Sequence, residues 1–132
     1  MNSSNMTDLA RVRPVLALDA ATCFAAGCLM AFAAKPVAAL TGLSPDLLRG
    51  AGIALLPVAA LFLFMARTSR LTRGLILFAV IGNLAWVAGS IAVLCSAGAN
   101  AIGQIFVAMQ AIAVAILALL EARDAFPRRG VA

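Results

Sequence analysis

The sequence contains no histidine. That excludes histidine-ligated haem, histidine metal sites and histidine general bases together. Tyrosine is absent too, and there is one tryptophan. Charge is scarce: Asp, Glu, Lys and Arg make up 11% of the 132 residues, against about 25% in a soluble domain. The three cysteines are Cys23, Cys28 and Cys95. The first two are not spaced as C-x-x-C, so a thioredoxin-like redox site is not indicated. Cys28 is expected ~10 Å short of the boundary at which Cys95 lies, which argues against a disulfide between them. Ser/His/Asp sets, paired catalytic carboxylates, Gly-rich phosphate loops and metal-ligand clusters are all missing. The expectation is a protein that is not an enzyme and uses neither cofactor nor metal.

What is present is apolar. Hydrophobic residues make up 64% of the chain, and its mean hydropathy is +1.08. A chain this short cannot bury two thirds of its residues in a soluble core. Ala and Leu dominate and favour helix, and helices satisfy their own backbone in lipid. The reading is an all-α membrane protein: one domain over residues 1–132, a bundle of four transmembrane helices.

Four apolar blocks define the spans: about 15–34, 47–66, 75–95 and 101–120. Each is near the ~20 residues needed to cross ~30 Å of hydrocarbon. Lys35-Pro36 ends the first, and residues 37–43 form an interfacial segment. Ser44-Pro45-Asp46 reads as a helix start, with Ser44 as N-cap and proline at the first helical position. Ala31-Phe32-Ala33 resembles a signal cleavage site, yet the block is long for a signal sequence and carries Asp19, so it is expected to be retained. Pro127 stops the polar tail.

The net charge is +5. The basic residues sit between apolar blocks without aromatic interleaving, so they read as topology signals and anionic-lipid contacts rather than nucleic-acid contacts. Arg11, Arg13, Arg67, Arg70, Arg73, Arg123, Arg128 and Arg129 gather on one side; Lys35 and Arg49 lie on the other. The positive-inside rule then puts both termini and the middle loop in the cytoplasm. The expected location is the bacterial inner membrane, as a multi-pass protein.

The polar residues within the spans are the candidate sites. Asp19 lies about 6 Å past the inner boundary of the first span. Intramembrane carboxylates serve as proton or cation sites; alternatively Asp19 pairs with a cytoplasmic arginine such as Arg73 or Arg67, or reaches interfacial water. The other acids, Asp8, Asp46, Glu121 and Asp124, are expected at or outside the membrane surface. Asn83 and Gln110 both fall ~12–14 Å deep and are expected to meet across the hairpin of spans three and four. Ser90 and Gln104 would make a second rung of this polar layer. Pro57 predicts a kink in span two by freeing the carbonyl of Ile53. Small residues form two stripes, Gly82, Ala85, Gly89 and Ala92 on span three and Ala108, Ala111, Ala115 and Ala118 on span four. They are expected to pack against helices of this chain, of a second copy or of a partner subunit. Trp86, deep in span three, packs in the bundle, faces lipid or a partner, or stacks on a substrate.

The stretches LLRGAGIALLPVAALF (47–62) and NLAWVAGSIAVL (83–94) resemble a group of small bacterial four-span membrane proteins with an Arg-Gly entry to span two and N-x-x-W in span three. That resemblance implies a four-span fold and no particular activity for Arg49, Asn83 or Trp86. The topology is also similar to that of small multidrug resistance transporters, whose first helix carries an acid where Asp19 stands. Their glutamate and aromatic-lined helices are missing here, and Asp19 is expected to be shallower. Two functions follow as expectations. The first is a structural or accessory protein packing on itself or a larger membrane complex. The second is a proton- or cation-coupled transporter using Asp19 and the polar layer.

Overall fold

The computed structural model describes residues 3–96 and 98–125. The expected Pro127, Arg128 and Arg129 lie outside them. The described chain is all-helical: α1 Ser3–Phe32, α2 Ala34–Thr41, α3 Pro45–Arg67, α4 Arg73–Cys95 and α5 Ala101–Ala125. Four of these, all but α2, are long and apolar enough to cross a membrane.

Polar residues at the helix ends set most boundaries. Ser44 Oγ accepts from Leu47 N at 3.4 Å, with Pro45 beside it in the first turn, as capping chemistry requires. Thr72 Oγ1 does the same for Leu75 N at 3.2 Å. Asn100 Oδ1 accepts from Gly103 N at 2.9 Å and so opens α5. The same residue ties α5 to the end of α2: its Nδ2 donates to Leu40 O at 3.0 Å, and its backbone N–H to Thr41 O at 3.0 Å. Gly42 ends α2 in the left-handed region, φ 73°, where glycine carries no steric penalty.

Two segments depart from the sequence reading. Residues 34–41, expected as part of the first span and an interfacial segment, form the separate helix α2, set off by a break at Ala33. Helix α1 starts well before residue 15 and runs through Pro14. Leu9, Val12 and Leu16 on this extension are buried, so packing offsets the backbone bond that Pro14 forgoes. Arg13 adds an anchor, its Nη1 donating to Ala66 O at 3.1 Å and Thr68 O at 2.6 Å. Those carbonyls belong to the end of α3, which the guanidinium caps.

The helices pack in two pairs. α1 lies along α3, and α4 along α5; α1 and α5 join the pairs. α1 meets α3 backbone to backbone: a side chain on Gly52 would collide with Ala31 N and stand 2.8 Å from Gly27 O. Similarly, a side chain on Gly103 would collide with Thr41 O. α3 and α4 hardly touch, and a cleft opens between them. Most large apolar side chains outside the core point away from the bundle, Phe24, Phe64, Ile105 and Leu119 among them. An exterior this apolar suits lipid, and suggests a multi-pass membrane protein.

Candidate functional site

Three helices converge on one buried cluster. α1 supplies Asp19, α4 Asn83 and α5 Glu121. Asp19 and Glu121 are both 0% exposed, and Asn83 is 4% exposed. Asn83 Nδ2 donates to Asp19 Oδ2 at 2.6 Å and to Glu121 Oε2 at 3.1 Å. An amide nitrogen has two hydrogens, and here each goes to a different carboxyl group. Asp19 Oδ1 accepts from Cys23 Sγ at 3.5 Å. Glu121 Oε1 is buried without a hydrogen-bond partner.

Among the described residues the ion pairs Asp46–Arg49 and Arg123–Asp124 involve neither acid. The side chain of Asp19 is hydrogen-bonded to Asn83 and Cys23. Glu121, expected at or outside the membrane surface, is fully buried inside the bundle. Among the described residues, no group of three or more His, Cys, Asp or Glu side chains is arranged to hold a metal ion.

In front of the cluster lies the cleft. Its outer part, toward α2, encloses about 420 Å³ and its inner part about 250 Å³. The two share Gly82, Trp86 and Gln110 in their walls. Pockets of this size hold small organic ligands. The lining is almost entirely apolar. At the inner end the wall is formed in part by Asn83 and Cys23, the two residues bonded to Asp19. The carboxylates therefore stand directly behind the inner wall.

The other expected site residues distribute as follows. Gln110 does not meet Asn83: it lines the cleft and has no hydrogen-bond partner among the described residues. Glu121 takes its place, on an α5 that continues to Ala125. Ser90 and Gln104 form no rung. Ser90 Oγ turns back to Trp86 O at 2.8 Å, and Gln104 is exposed. Pro57 is exposed on α3, which continues through it, and it lines neither part of the cleft.

The stripe Gly82, Ala85 and Gly89 faces the cleft rather than a neighbouring helix; a side chain added at Gly82 or Gly89 would meet nothing within 4 Å. Close backbone packing falls instead to Gly27, Gly52 and Gly103. Ala92 is exposed, Ala108 and Ala115 are half-buried, and Ala111 and Ala118 are buried. Trp86 is half-buried between core and cleft. All three cysteines are free.

The missed residues are Glu121, Cys23 and Arg13. A signal for Glu121 exists in the helical period. Gln110, Val114 and Leu117 line the cleft at helical spacing, and Glu121 continues that face one turn further.

Comparison with known protein families, curated proteins and solved structures gives no match.

Proposed function

We propose that this protein is a small multi-pass transporter of the bacterial inner membrane, with both termini cytoplasmic, that carries a small lipophilic molecule through the cleft between α3 and α4. The observation that carries this reading is the placement of a buried carboxylate cluster immediately behind the wall of a ligand-sized apolar cleft. Buried acids are costly in a helical membrane bundle and mark substrate or ion paths. The apolar lining selects an apolar body, and Trp86 and Gln110 offer a ring face and an amide to orient it.

Trp86 is the sole tryptophan and lines both parts of the cleft, so its emission reports occupancy. Titration of the purified protein with the uncharged probe N-phenyl-1-naphthylamine is expected to quench Trp86 saturably. Gly89→Leu fills the cleft and should abolish the saturable component. Equal quenching in both proteins would contradict the reading.

A second reading rests on the open Gly82, Ala85 and Gly89 stripe. Such a surface accepts a helix of another subunit, which would make the protein an accessory component or homo-oligomer. Native mass determination separates the two: stoichiometric foreign subunits favour the second.

A further inference from the structure

We infer that the inner cleft takes an acyl chain of an anionic phospholipid sideways from the bilayer, with the lipid phosphate held at Arg67 and Arg70. The inference rests on the cleft reading above and names the class of molecule that the cleft meets.

α1 and α5 pack together at the back of the cleft, whereas α3 and α4 hardly touch. The open side therefore lies between α3 and α4. With the long helices across a bilayer, that side faces lipid tails rather than water. Phe78 is exposed and lines the inner part, so the mouth carries an apolar ring. Along α4 the lining runs from Phe78 through Trp86 to Val93, about 22 Å at the rise of a helix. One leaflet of hydrocarbon is about 15 Å deep. A single chain therefore fits lengthwise and reaches Trp86.

Charge decides which end carries the headgroup. The lining residues nearest the α3–α4 loop are Phe62 on α3 and Phe78 on α4. Arg67 lies five residues beyond Phe62, and Arg73 five before Phe78, about 7–8 Å in each case. The headgroup layer of a leaflet is about 5–8 Å thick, so these arginines stand at the depth of a lipid phosphate. Arg70 lies in the loop between them, and all three are exposed. Exposed Arg11 belongs to the same end, where neighbouring Arg13 meets Ala66 and Thr68. Asp124 at this end is paired with Arg123 at 3.1 Å. At the far end Arg49 is paired with Asp46 at 3.6 Å, and Lys35 is the remaining cation among the described residues. An anionic headgroup is thus drawn to the α3–α4 loop. Behind the inner wall stand two acids, Asp19 and Glu121. Such a wall does not suit an anion, so the chain enters and the headgroup stays outside.

Trp86 is the sole tryptophan and tyrosine is absent, so the emission reports the chain. Purified protein is placed in phosphatidylcholine vesicles containing a minor fraction of phosphatidylglycerol, with bromine in the distal half of the acyl chains of one lipid or the other. Brominated phosphatidylglycerol is expected to quench Trp86 at a roughly fivefold lower mole fraction than brominated phosphatidylcholine, the scale of one arginine at an anionic surface. In 1 M salt, where screening acts within about 3 Å, the preference should vanish. Arg67→Gln with Arg70→Gln is expected to lose the preference at low salt and to keep saturable quenching by N-phenyl-1-naphthylamine. Gly82→Leu fills a position that is open to both parts of the cleft and should weaken quenching by both brominated lipids. Equal quenching of wild type by the two lipids, a preference that survives 1 M salt or the double variant, or quenching unchanged in Gly82→Leu would overturn the inference, while N-phenyl-1-naphthylamine quenching leaves the cleft reading standing. Wild-type protein quenched by neither brominated lipid nor N-phenyl-1-naphthylamine would overturn both.

Discussion

The 2.6 Å hydrogen bond from Asn83 Nδ2 to Asp19 Oδ2 ties α4 to α1, two helices that scarcely touch elsewhere. The same nitrogen reaches Glu121 on α5. Asn83 therefore links the two helix pairs behind the cleft, beside the packing of α1 on α5. Removing it should cost more than removing any other polar residue in the bundle. Asn83→Ala is expected to destabilise the protein by about 2–4 kcal/mol, the scale for breaking buried bonds to charged groups. Gln110→Ala, with no hydrogen bond to lose, should cost under about 1 kcal/mol. Thermal transitions of the two variants in one detergent decide this.

Glycines in this chain divide into two kinds with opposite predicted signs. Gly52→Ala forces the α1 backbone away and should lower the thermal transition sharply, because the atoms it meets are backbone. Gly82→Ala and Gly89→Ala enter open space and should stabilise by about 0.5–1 kcal/mol each through helix propensity. A thermal scan of the three variants suffices. Destabilisation at Gly82 would place a partner helix against that stripe.

Arg13 caps the end of α3 through Ala66 O and Thr68 O. Arg13→Gln is expected to raise hydrogen exchange in residues 66–72 by roughly tenfold or more, from loss of about 1.5–3 kcal/mol in charge-assisted bonds. Exchange in α5 should not change.

Much of this architecture could be read from apolar block lengths alone, since a helix able to cross a membrane needs about 20 apolar residues. The starts of α3 and α4 follow from Ser44 and Thr72; the first was legible as Ser-Pro-Asp, the second was not singled out. α2 was hidden because Lys35-Pro36 reads as an interruption, although proline is tolerated in a first turn. The site was half legible. Asp19 and Asn83 stand out as polar residues within apolar blocks. Glu121 did not, because a depth count from the start of α5 places it near a polar tail, whereas its side chain turns inward on the face that carries Leu117. Small-residue stripes misled for a related reason. Spacing identifies a face but not whether that face meets a helix or a cleft, and Gly82 and Gly89 meet a cleft.

The central claim, that the cleft between α3 and α4 takes a small lipophilic molecule, is tested most directly through Trp86, which lines both parts of the cleft. Purified wild-type protein is predicted to show saturable quenching of Trp86 by N-phenyl-1-naphthylamine, and Gly89→Leu to lose it. Equal quenching in the two proteins would contradict the account.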